Sequence, residues 1–261
     1  MRSTRHPIRL IALILALMLT CVTASADYAS EISSVMSTYS YQNLMASSAP
    51  QQQVNGAYRM VELLEIMARE EGCDSSKVSS VMSTFSYQNL MASSAPQQLV
   101  NGTYHTVELL ELIALKLGCD SGSVSSIKST YSYQNLMASS APQQAVNGSY
   151  RTVELLELIA RKLGCDSGSV SSVMSTYSYQ NLMASSAPQQ LVNGTYRTVE
   201  LLELIALKLG CDSGSVSSVK STYSYQNLMS NSAVQQAVNG LYRSVELLEL
   251  ITRKLARDTS L

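Results

Sequence analysis

The stretch Tyr150-Arg-Thr-Val-Glu-Leu-Leu-Glu-Leu-Ile-Ala-Arg-Lys-Leu-Gly164 decides the fold. Tyr150, Val153, Leu156, Ile159, Ala160 and Leu163 recur at spacings of three and four, which gives one apolar helical face. Leu155 and Leu158 widen that face, so the helix is expected to pack on two neighbours. Arg151, Glu154, Glu157 and Arg161 fall on the other side and read as a solvated charged face. Glu157 and Arg161 stand in the favourable order for an i,i+4 pair. Ser149 is a candidate cap at the start of the helix. Gly164 is placed to end it in the left-handed conformation.

The same stretch recurs every 46 residues. The units run 27–72, 73–118, 119–164, 165–210 and 211–256 without insertion or deletion, followed by a tail at 257–261. A fixed period of this size is the signature of a repeat architecture, in which each copy buries its apolar face against the next. Upstream of Tyr150, Val124 and Ile127 with Tyr131 form a second helical stripe after Asp120-Ser121. Between the two, Ser140 and Pro142 open a short helix that Asn147-Gly148 is expected to close. The fold class is therefore all-α: a tandem helical, α-solenoid-like repeat of five 46-residue units with two or three helices each. The end copies differ from the inner ones at Val234 and Ala256, among other positions, as caps would.

Residues 1–26 read as a secretory signal peptide. Arg2, Arg5 and Arg9 precede the apolar run 10–19, and Ala24-Ser25-Ala26 provides the cleavage pattern. Cleavage there releases a chain that begins at the first repeat. Losing those three Arg lowers the formal charge from −1 to −4. That balance argues against a nucleic-acid partner, and no later apolar stretch is long enough to span a membrane. The expected location is extracellular, or the periplasm or cell surface in a bacterium.

Four cysteines remain, Cys73, Cys119, Cys165 and Cys211, each opening a repeat at the same phase. Equivalent positions in packed neighbours lie about 8–10 Å apart, too far for a disulfide. Small half-buried residues and links between chains are the two readings left. Asn101, Asn147 and Asn193 begin N-glycosylation sequons, placed by this reading on turns. Tyr is abundant, with 15 in the full chain, and its plain role is to fill half-buried helix positions.

Three positions alternate with a 92-residue period. Repeats 2 and 4 carry Met82/Met174, Leu99/Leu191 and Leu115/Leu207, where repeats 3 and 5 carry Lys128/Lys220, Ala145/Ala237 and Arg161/Arg253. Copying of a two-unit block explains the pattern. An apolar self-association stripe is the functional alternative.

Nothing points to catalysis. His105 is the one His after the leader, and Arg59, Arg151, Arg197 and Arg243 stand at its place in the other copies, so it reads as a surface variant. No metal-ligand spacing or phosphate loop is present, and no cofactor is expected. The sequence thus suggests a secreted, non-enzymatic protein acting through its surface as a structural, adhesive or matrix component, with itself or an extracellular protein or glycan as partner. A soluble extracellular binding protein is the alternative. A precursor cut into repeated peptides is the third.

Overall fold

The structure, a computed structural model, describes residues 28–37, 48–84, 94–130, 140–176, 186–222 and 232–258. All ten elements among them are helices. Short helices are α1 (28–37), α3 (Ser75–Thr84), α5 (Ser121–Thr130), α7 (Ser167–Thr176) and α9 (Ser213–Thr222). Long helices are α2 (Ala49–Glu70), α4 (Ala95–Lys116), α6 (Ala141–Lys162), α8 (Ala187–Lys208) and α10 (Ala233–Asp258). The all-α tandem-repeat reading holds. The signal segment and the Tyr-Ser-Tyr blocks lie outside the described residues, as do the side chains of Lys128 and Lys220.

Among the described residues each repeat contributes one short and one long helix. The expected break at Asn147-Gly148 is absent, and Ser149 caps nothing. One 22-residue helix runs from Ala141 to Lys162, about 33 Å at 1.5 Å per residue. Pro142 occupies its first turn, and Ser140 holds the extended conformation of an N-cap without donating or accepting a side-chain cap bond. Gly148 is retained for closeness rather than for a turn. A Cβ built there would stand 2.8 Å from Thr103 Cβ on the preceding long helix, so only glycine permits this approach. Gly102 meets Ala57, Gly194 meets Ser149 and Gly240 meets Thr195 in the same way.

Gly164 ends its helix as predicted, at φ +75°. Its N–H donates to Arg161 O, and the N–H of Cys165 donates to Ala160 O. Those two bonds define a Schellman motif, whose next residue is commonly apolar. The motif recurs at Gly72, Gly118 and Gly210. It places every cysteine at the same turn. Asp120 then caps α5, accepting from the Ser123 N–H at 2.7 Å and the Ser123 hydroxyl at 2.8 Å.

Each long helix packs on the long helix before it and the one after it, and α10 packs on α2. The stack therefore closes into a ring of five long helices. All five begin at the same end, because first-turn residues of each line a single opening, so they run parallel. The short helices lie outside, each bridging its own long helix and the one before it. Across the closure α1 does the same: Arg69 on α2 pairs with Glu31 at 2.5 Å, and Arg253 on α10 donates to Ser33 at 3.3 Å.

The expectation that the end copies cap an open stack is overturned by this closure. Their departures from the repeat fit each other instead. Leu241 fills the space beside Gly56, the Gln53 side-chain amide donates to Val234 O at 3.1 Å, and the Arg59 guanidinium lies 5.8 Å from the Tyr242 ring centre. Ala256 replaces the turn glycine, and α10 runs on to Asp258.

Candidate functional site

The axis of the ring is built by positions spaced four, three and four along each long helix, the pattern of a helical-bundle seam. Gln53, Leu99, Ala145, Leu191 and Ala237 share one register position near the helix starts. Ala57, Thr103, Ser149, Thr195 and Leu241 form the next layer. Met60, Thr106, Thr152, Thr198 and Ser244 form the third. Leu110, Leu156, Leu202 and Leu248, with Leu64, continue the spacing as buried aliphatic side chains.

Two cavities follow from this layering. A funnel of about 170 Å³ opens among the helix starts, lined by Pro50, Pro96, Pro142, Pro188 and Val234 at the rim and by Leu99, Ala145 and Leu191 deeper in. Leu99 and Leu191 also border a second chamber of about 20 Å³, so they divide the two. That chamber is enough for about one water molecule. It is walled by hydroxyls that are satisfied within their own helices: Thr106 donates to Gly102 O at 3.0 Å, Thr152 to Gly148 O at 3.1 Å and Thr198 to Gly194 O at 3.0 Å.

Here the 92-residue alternation has a packing role. Two leucines from alternate helices reach the axis, and alanines on α6 and α10 leave room for them. The six residues proposed as a self-association stripe do not share a face. Leu99 and Leu191 are buried at the axis. Met82 and Met174 are half-buried between the short helices and the core. Leu115 and Leu207, 45% and 48% exposed, stand near the far ends of α4 and α8. Side chains 16 residues apart on one long helix, as Leu99 and Leu115 are, point in different directions once that helix has two neighbours and an axis to serve.

The outer faces hold a groove between the short and long helix of a repeat. In repeat 3 it is lined by Asp120, Ser123, Ser126, Ile127, Glu154, Glu157 and Leu158, and in repeat 1 by the equivalent Glu31, Ser34, Val35, Glu62, Glu65 and Ile66 with Arg69. Burial raises the Glu154 carboxyl above the usual range, with Glu157 adding to the effect. Glu62 rises to about 7 for the same reasons, mainly burial and then Glu65, against the pull of Arg59. Arg161 pairs with Glu157 at 2.8 Å, the predicted i,i+4 contact. In repeat 1 a guanidinium occupies the groove: Arg69 reaches both Glu31 and Glu65 and lies 5.7 Å from the Tyr28 ring centre.

The predicted solvated face is only partly solvated. Arg151 is 4% exposed, and His105 is 2% exposed rather than a surface variant. Sequence periodicity missed this because this register faces a neighbouring helix, as Arg59 does against the Tyr242 ring on the adjacent long helix. Burial holds His105 neutral, its pKa lowered to about 3. Tyr58, Tyr104, Tyr150, Tyr196 and Tyr242, one per long helix, fill buried positions.

Cys73, Cys119, Cys165 and Cys211 are free and half-buried, with thiol pKa values raised mainly by burial. The Cys165 thiol donates to Leu204 O on the following long helix at 3.6 Å. Asn101, Asn147 and Asn193 lie inside long helices rather than on turns, half-buried, and their acceptor residues Thr103, Ser149 and Thr195 are buried. No helix among the described residues is long and apolar enough to cross a membrane. No protein-family model, curated protein or solved structure matches the chain.

Proposed function

We propose that the protein is a secreted, ring-shaped adhesive scaffold that offers acidic grooves on its outer face to a basic extracellular partner. The observation that carries this reading is the packing of α10 on α2. It makes the last copy a neighbour of the first, so the five outward faces surround one axis. Groove chemistry supports the partner class. Ile127 and Leu158 give an apolar floor for the stem of Lys or Arg, and Glu154 and Glu157 supply acceptors for its head. Arg69, held by Glu31 and Glu65 in repeat 1, is an internal example of such a guest. Several weak sites on one body gain avidity of about 10²–10⁴ when the partner also repeats.

The test is binding of the mature chain to a surface carrying an Arg-rich peptide at graded density. Apparent affinity should rise at least tenfold from sparse to dense surfaces, and Glu154→Gln with Glu157→Gln should weaken it. Binding independent of density would sink multivalency. A chain that assembles with itself before any partner is added, measured by light scattering, would favour a self-associating matrix component instead.

A further inference from the structure

The funnel at the helix starts differs from the outer grooves in every respect that determines a ligand. Among the described residues its wall is proline, alanine, leucine and valine, with the Gln53 amide as the one polar side chain. That amide is already committed to Val234 O across the ring closure. Among the described residues no charged side chain lines it. Leu99 and Leu191 close its floor above the hydroxyl chamber. The space is therefore a blind apolar pocket and not a pore.

Why the space exists is also visible. At the register of Leu99 and Leu191 the neighbouring helices carry Ala145 and Ala237, and both alanines are fully buried. A third leucine at residue 145 would occupy volume that now belongs to the funnel. Four of the five rim residues are prolines in helical first turns, with φ preset by the ring, so the backbone at the rim is locally stiff. Such a pocket loses little ordering entropy when it is filled.

We propose that this funnel is a binding site for a neutral, compact apolar molecule about the size of one six-membered carbon ring. Size and polarity both select that class. An apolar protein cavity of about 150 Å³ stays dry and takes up benzene or xenon, and the funnel measures about 170 Å³. A charged ligand would lose hydration without gaining a partner. A long chain would be stopped at Leu99 and Leu191.

Benzene, cyclohexane and benzoate serve as probes, titrated into the full mature chain with binding read by calorimetry and by the rise in Tm. Benzene and cyclohexane should bind saturably at one site per chain, and benzoate at least tenfold more weakly. Ala145→Leu should reduce benzene binding at least tenfold. Ala187→Leu, at the rim, should reduce it independently, and circular dichroism identifies which variants fold. Leu99→Ala joins funnel and chamber, and should shift preference from benzene towards a larger ring system such as naphthalene. The assignment is overturned by an absence of saturable benzene binding, by benzoate binding as tightly as benzene, or by unchanged binding in a folded filling variant.

Discussion

Gly56 and Leu241, from the first and last repeats, touch so closely that a Cβ on the glycine would stand 2.9 Å from Leu241 Cβ. The four other glycines of this register meet the preceding long helix in the same way, Gly148 against the Thr103 hydroxyl at 2.6 Å. In an isolated helix, Gly→Ala gains about 1 kcal/mol from propensity. Here the added methyl must push two helices apart, at about 1–3 kcal/mol. Gly148→Ala and Gly56→Ala are thus expected to lower stability by up to about 2 kcal/mol in urea unfolding. A gain in stability at both sites would show that the helices do not approach this closely.

Truncation before residue 211 removes α10 and leaves the facing sides of α2 and α8 uncovered. The shortened chain should dimerise or aggregate, and gel filtration with light scattering will show it. An open, end-capped stack would instead give a monomer of nearly unchanged Tm.

Leu115 and Leu207 occupy the position at which Arg161 and Arg253 pair with Glu157 and Glu249. Leu115→Arg with Leu207→Arg should change stability by less than about 0.5 kcal/mol, as exposed pairs do. Reduced self-association at high concentration would identify these two leucines, rather than the six alternating positions together, as a contact site.

Burial and Glu65 keep the Glu62 carboxyl protonated up to about pH 7, against an ordinary value of 4.5. The folded state then holds a proton that the unfolded state has released, so stability falls as pH rises from about 4.5 to about 7. The slope is at most about 1.4 kcal/mol per pH unit for one such group. Glu154 and Glu246 shift in the same direction. Glu62→Gln should flatten the dependence of Tm on pH in this window. An unchanged slope would mean that the carboxylate ionises freely in the folded protein.

His105 acts in the opposite sense. Its pKa falls to about 3 when folded, so the unfolded chain takes up the proton first and stability is lost as pH drops below about 6.5. Arg occupies the equivalent buried place in the other four copies, at 2–4% exposure. His105→Arg is expected to fold normally and to remove that part of the acid sensitivity. Loss of folding in this variant would show that repeat 2 surrounds the position differently.

The repeat frame, the long-helix face and the cysteine phase were legible because each follows from periodicity or from a local motif. Asp120 and Gly164 do in the structure what their residue types predict. Gly148 was misread because Asn-Gly is a turn signal locally, while its purpose here lies on another helix. Arg151 and His105 were misread because burial against a neighbouring helix leaves no trace in the period of one helix. Ring closure was hidden in the terminal substitutions. Leu241 and Ala57 look like drift until they are set beside their neighbours. The axial funnel was hidden with it, since Leu99 and Ala145 reveal a cavity only when five copies share an axis.

The leucine–alanine layer carries one more consequence. Copying by twos produces a two-colour pattern, and a cycle of odd length cannot be two-coloured. Somewhere around five positions the alternation must fail, and it fails at Gln53, which is neither leucine nor alanine and lies between Leu99 and Ala237. Its amide bridges to Val234 O across that edge. The first repeat is therefore the one member that parity forbids from matching either kind. The place where the chain begins and ends coincides with the place where the colouring breaks.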